Sequence, residues 1–175
     1  MEEFELTYLA KKELMPKLKG VSFKEMLDIY IPSSSKHPNL RIRKSGDRYE
    51  MTKKQPVKEG DSSHQLEMTI PLTQDEFLEL SGLKGKRVSK NRFLYNEGGY
   101  TYEVDVFQED LIGLVLVDIE FKSNEEKSRF TPPAWAIADV TQEEFVAGGM
   151  LCGKNYGDIR KKLDGFGYKK IYMVG

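Results

Sequence analysis

The chain has 175 residues, 39% of them hydrophobic and 31% charged, which suits a water-soluble globular unit with room for a sizeable core. Its 27 Lys and Arg nearly cancel its 28 Asp and Glu, and a net charge of −1 supplies no general pull toward nucleic acid or an anionic membrane, so neither is expected as a partner. The one cysteine, Cys152, excludes an intrachain disulfide and a thiolate metal cluster; an acidic start unlike a signal peptide and the lack of an apolar run near the roughly 20 residues that span a bilayer point to the cytoplasm.

Phe4, Leu6 and Tyr8 alternate with Glu3, Glu5 and Thr7, the period of a strand. Residues 9–20 read as helical, against the grain of Pro16. Residues 28–32 read as a short strand and 33–39 as a polar loop. Strands over 40–43 and 49–54 flank Ser45-Gly46-Asp47, a hairpin signal. A loop over 58–63 precedes a strand over 65–70. Thr73-Gln74-Asp75-Glu76 is a capping box that opens a helix through about Leu83. Strands over 90–95 and 100–107 flank Asn96-Glu97-Gly98-Gly99, and a further strand runs over 114–121 after a turn at Gly113. Ser123 caps a short helix that must stop before Pro132-Pro133, Thr141 caps another, and a last helix covers about 156–163 before Gly165 and Gly167. No repeat or linker interrupts the chain, so residues 1–175 are expected to form a single domain. About eight hairpin-joined strands with helices between them predict an α+β fold with a closed or nearly closed antiparallel sheet, a β-barrel with helices packed outside.

Successive strand residues face opposite sides, and here charge is set against apolar residues. Glu3 and Glu5 oppose Phe4 and Leu6. Arg41 and Arg43 flank Ile42, and Lys90 and Arg92 share a face. Glu103 and Asp105 alternate with Tyr102, Val104 and Val106, as Asp118 and Glu120 do with Val117, Ile119 and Phe121; Glu50 and Lys54 share a face with Thr52. A sheet with one face in water gives the same alternation. Whole strands of one sign fit less well with that reading, because like charges on one strand face repel. A ligand that is both polyanion and cation, a triphosphate with a divalent metal, would select such a layout: bases take phosphate oxygens and carboxylates take the metal. The charged side would then line the barrel, and bound phosphate and metal would stabilise it.

The ordered set Glu3-Phe4-Glu5, Arg41-Ile42-Arg43, Thr52-Lys53-Lys54, Lys90-Asn91-Arg92-Phe93, Glu103-Val104-Asp105 and Asp118-Ile119-Glu120 resembles the CYTH superfamily, the triphosphate tunnel metalloenzymes. Tyr102 to Phe107 and the segment with Pro132-Pro133-Ala134-Trp135 and Asp139-Val140-Thr141 are also similar. The resemblance runs from Glu3 to about Leu151. Two positions depart from it: Thr7 stands where the family has a lysine, and Gln65 where it has a carboxylate.

The resemblance implies a closed triphosphate tunnel in which Arg41, Arg43, Lys54, Lys90 and Arg92 bind a small triphosphate. It implies a site for Mg²⁺ or Mn²⁺ among Glu3, Glu5, Glu103, Asp105, Asp118 and Glu120, with Glu103 and Asp105 also able to orient the bases. Glu3, Glu5, Lys90 and Arg92 are the implied catalytic set. Glu67 is read as a partner of a lumen base. The expected reaction is metal-dependent hydrolysis of a small triphosphate, inorganic tripolyphosphate ahead of ATP or thiamine triphosphate. A class IV adenylate cyclase shares the motifs, and a non-catalytic triphosphate or polyphosphate binder fits Thr7 and Gln65. Members of the family are often dimeric, so a homodimer is allowed. His37 and His64, in polar stretches, are not expected to bind metal, and Trp135 is expected to be a packing anchor.

Overall fold

The alternation of apolar and charged side chains is realised as strands, and a short strand without it brings the number among the described residues to nine. The computed structural model describes residues 2–173. Its strands are β1 (Glu2–Ala10), β2 (Phe23–Ile31), β3 (Leu40–Ser45), β4 (Arg48–Pro56), β5 (His64–Leu72), β6 (Lys86–Glu97), β7 (Tyr100–Phe107), β8 (Val115–Phe121) and β9 (Ala136–Asp139). Helices α1 (Gln74–Ser81), α2 (Asn124–Arg129), α3 (Gly148–Leu151) and α4 (Tyr156–Gly165) lie between and after them. None of the described helices is long and apolar enough to cross a membrane.

Two tight turns set the hairpin registers. Between β3 and β4, Ser45 faces Arg48 across Gly46 at φ 57°, the arrangement in which glycine takes the first central position of a type II′ turn. Between β6 and β7, Glu97 faces Tyr100 across Gly98 and Gly99, both at positive φ, as a type I′ turn requires.

The sheet runs in the order β5-β4-β3-β2-β6-β7-β8-β1-β9, and β1 also pairs with β5. Eight antiparallel strands therefore close into a barrel, with β9 outside the ring. One edge of β1 is divided: Glu2 to Phe4 face β5, while Tyr8 to Ala10 face β9. Its other edge pairs with β8 from Phe4 to Leu9.

The hydrophobic core lies outside this barrel. Leu6, Tyr8, Val104, Val117 and Ile119 on the outer faces of β1, β7 and β8 pack under Leu14, Phe130, Trp135, Ile159 and Leu163. A smaller cluster of Ile29, Ile42 and Phe77 sits beneath α1. Thr73 accepts from the Glu76 N–H while Glu76 returns a bond to the Thr73 N–H, so the expected capping box starts α1. Asn155 and Asp158 do the same for α4.

Three local expectations are corrected. β1 continues to Ala10, and a 3₁₀ helix over Lys12–Leu18 replaces the helix expected over 9–20, as Pro16 inside it would favour. β2 begins at Phe23 rather than 28, because its early residues pair with β6 from Phe23 opposite Phe93. Thr141 caps no helix: its hydroxyl donates to Asp139 and accepts from the Thr7 N–H, so it fastens the segment to β1 instead.

Candidate functional site

The inward faces of the strands enclose a cavity of about 570 Å³. All the bases and acids picked out by their spacing line it: Glu3 and Glu5 from β1, Arg41 and Arg43 from β3, Lys54 from β4, Lys90 and Arg92 from β6, Glu103 and Asp105 from β7, and Asp118 and Glu120 from β8. The charged face is therefore interior, and the alternative of a water-facing sheet is overturned. The thiol of Cys152 is buried outside this set.

Register explains how charge is sorted. β7, β8 and β1 are neighbours and form an acidic arc. Glu5 lies directly opposite Glu120, and Glu103 directly opposite Asp118. Directly opposed like charges destabilise a sheet, so this arc works against stability. β6 and β3 carry bases on their inward faces. β4 mixes the signs, with Glu50 and Lys54 on one face, so the one-sign pattern does not extend to every strand.

Most of the lumen cations are already engaged. Arg43 binds Asp28 with two parallel bonds, Nε to Oδ1 at 2.6 Å and Nη2 to Oδ2 at 2.7 Å. Arg92 donates to both oxygens of Asp105 at 2.6 Å and also to Glu103. Lys90 donates to Asp105 as well. Lys54 lies 2.6 Å from Glu3, 3.2 Å from Glu67 and 3.5 Å from Glu5, so Glu67 does partner a lumen base. Arg41 differs: its Nη1 donates to the Tyr30 hydroxyl across a long 3.5 Å. Its Nε is the buried side-chain polar atom that lacks a hydrogen-bond partner among the described residues.

Proton affinities follow this map. Burial pushes the Glu5 carboxyl up to about 7, Lys54 opposes the shift, and Asp118, Glu3 and Glu120 add to it. Burial also works against ionised Asp105, but Arg92 and Lys90 pull harder and hold it down at about 2. Asp28 is likewise held well below the carboxylate range, with Arg43 outweighing its burial. Burial lowers the Lys90 ammonium more than Asp105 supports it, and Arg92 and Arg43 lower it further. Glu120 is raised, first by burial and then by Glu103 and Glu3.

Oxygen donors of this kind suit a hard divalent cation. Among the described residues, however, no three His, Cys, Asp or Glu side chains converge into a finished metal cage. A divalent metal still fits this donor set, since hard cations take carboxylate oxygens together with water or ligand oxygens.

Asp28 carries no assignment from the sequence, although it is 2% exposed and anchors Arg43. The signal lay in Asp28 and Tyr30 alternating with Leu27, Ile29 and Ile31. The segment 140–151 also lines the cavity through Val140, Thr141, Val146 and Gly148. A Cβ on Gly148 would stand 2.0 Å from the Tyr30 hydroxyl, so only glycine lets this segment approach the barrel so closely. His37 lies 3.4 Å from Glu144 and His64 3.1 Å from Glu2. Trp135 is buried and donates to Glu97 at 2.7 Å, in keeping with a packing anchor.

A family model described as the CYTH domain matches residues 1–130. A Nitrosomonas europaea protein named inorganic triphosphatase is 34% identical over 116 residues, which are 66% of this chain and 75% of that protein. Among solved structures, that of the inorganic triphosphatase NE1496 matches with a TM-score of 0.60 at 25% identity, over 86% of this chain and 93% of that one. PH1012 from Pyrococcus horikoshii OT3 shares the fold, with a TM-score of 0.53 at 22% identity over 72% of this chain and 84% of its own.

Proposed function

As the chain belongs to the CYTH domain family, we propose that it acts as one domain over residues 1–175 and hydrolyses a small triphosphate, inorganic tripolyphosphate first, with Mg²⁺ or Mn²⁺. The observation that carries this reading is the lumen itself. Opposed carboxylates and a facing set of bases meet around one cavity, at a cost to the sheet that a metal–polyanion ligand would repay. The name of the 34% identical relative agrees with it.

Arg41, with a buried Nε and no strong partner, receives the anion first. Arg43 and Arg92, held as planar forks by Asp28 and by Asp105 with Glu103, offer fixed paired N–H donors to phosphate oxygens. Lys54 and Lys90 add point charges. A bound divalent cation would neutralise phosphate charge and polarise the phosphoryl group. Glu3, Glu5, Asp118 and Glu120 would hold it, with Glu103 at the edge of the set. Asp105, fully engaged by Lys90 and Arg92, serves to orient those bases. Glu5, set in the acidic arc opposite Glu120, orients the attacking water. Lys90 and Arg92 stabilise charge on the transferring phosphoryl group and the leaving oxygen.

Phosphate release from tripolyphosphate and from ATP, with each metal and with a chelator, tests the reading. Orthophosphate from tripolyphosphate that stops on chelation is expected. Cyclic AMP with pyrophosphate would indicate a cyclase. Thermal stabilisation by tripolyphosphate without turnover would indicate a binder.

A further inference from the structure

We propose that Thr7 is a positioning residue of this site: its hydroxyl fixes one oxygen of Asp118 so that the other is offered to Arg92 and to a divalent cation in the lumen. The inference rests on the triphosphatase reading above and adds to it a role for the position where the chain departs from its family.

Thr7 lies directly opposite Asp118 across the β1–β8 ladder. Its Oγ1 donates to Asp118 Oδ1 at 2.7 Å. Asp118 Oδ2 stands 3.5 Å from Arg92 Nη2, a loose ion pair rather than a close hydrogen bond. Asp118 thus differs from Asp28 and Asp105, whose oxygens are taken up by guanidinium or ammonium groups. It also faces Glu103 across the next ladder, and that repulsion would swing a free carboxylate away. A neutral donor settles Asp118 without cancelling its charge, whereas a cation at position 7 would cancel it.

Thr7 is well placed to do this, because its own backbone is gripped from outside the barrel. Its N–H donates to Thr141 Oγ1 at 3.0 Å, and its carbonyl accepts from the Val140 N–H at 2.8 Å. Thr141 is tied in turn to Asp139. A β-branched side chain on a fixed backbone has few rotamers, so the hydroxyl points in a set direction. A hydrogen bond to an ionised carboxylate is strong for its kind, and groups that orient metal ligands commonly change metal affinity by tenfold or more when removed.

The test uses the full chain and Thr7→Val, Thr7→Ala, Thr7→Ser, Asp118→Asn and the double variant Thr7→Val/Asp118→Asn. Binding of Mn²⁺ alone is read by electron paramagnetic resonance. The Mn²⁺ dependence of tripolyphosphate hydrolysis is read beside it, with a urea melt of each variant. Loss of the hydroxyl should weaken Mn²⁺ binding about tenfold, while the urea midpoint stays near that of the parent. Serine should restore affinity to within about twofold, because it keeps the donor. Adding Thr7→Val to Asp118→Asn should cost little more than Asp118→Asn alone. Unchanged Mn²⁺ binding in both the valine and alanine variants overturns the proposal, as does a valine effect that persists in full beside Asp118→Asn. A parent chain that leaves tripolyphosphate intact overturns the functional reading instead, and the Mn²⁺ measurements still decide the role of Thr7.

Discussion

Arg41 and Arg92 carry the same charge in the same lumen, but their neighbours differ. Arg92 neutralises Asp105, which is 1% exposed, and Glu103. Arg92→Ala would remove the partner of Glu103 and leave Asp105 to Lys90 alone, and breaking a buried ion pair on one side costs up to about 3–5 kcal/mol. Arg41 has a weak bond to Tyr30 and a buried Nε without a partner among the described residues, so Arg41→Ala should cost less stability than Arg92→Ala. It should nonetheless lower kcat/KM for tripolyphosphate at least about tenfold, as expected for a lost charged hydrogen bond. Chemical denaturation and steady-state kinetics on the two variants would separate these effects; equal stability losses would contradict the pairing described here. Alternation made these arginines legible in the sequence. Asp28, the partner of Arg43, was not legible, because that pair depends on β2–β3 register, which no local pattern prints.

Elements were readable where a local mechanism fixes them and misread where tertiary bonds compete. Thr73 and Thr141 both begin motifs of the form Thr-Gln-x-Glu. The first caps α1. The second is drawn away by Thr7 and Asp139, and a 3₁₀ turn over Glu144–Val146 follows before α3. β9 escaped notice because four residues are too few to show a period. Once formed, α1 holds on mainly through Phe77, its buried residue, which packs on Ile29, Ile42 and Tyr49. Phe77→Ala should therefore destabilise the chain by about 3 kcal/mol through lost burial and a residual cavity. The cluster lies outside the barrel, so urea unfolding should show the loss while KM for tripolyphosphate stays within about twofold of the parent. A large KM change would mean that α1 shapes the lumen.

For the molecule as a whole, the buried charges set opposite pH limits. Glu5 binds its proton more tightly when folded, at about 7 against 4.5. Its contribution is complete below 4.5 and is lost as pH rises from 4.5 through about 7. Asp105 binds its proton less tightly when folded, at about 2 against 3.8, and Asp28 shifts the same way. Their contribution is present above 3.8 and is lost as pH falls toward 2. The chelated chain should thus melt at its highest temperature in mildly acidic buffer and decline toward neutrality. Mn²⁺ with tripolyphosphate should remove most of the decline, since cation replaces proton in the acidic arc. A melting temperature flat between 4.5 and about 7 in chelator would contradict the position of Glu5.

The divided edge of β1 gives the barrel a seam. Three residue pairs join β1 to β5, whereas eight join β6 to β7. Local openings follow the weakest ladder, so amide protons of residues 2–4 and 64–66 should exchange with deuterium well before those of β6 and β7. Glu3 on β1, Glu67 on β5 and Lys54, which lies near both, stand along this seam, and so the cargo of the lumen would act as its clasp. Exchange there should slow when tripolyphosphate and a divalent cation are added together, and much less with either alone. The seam then becomes a clock for occupancy, readable by mass spectrometry without any product being formed.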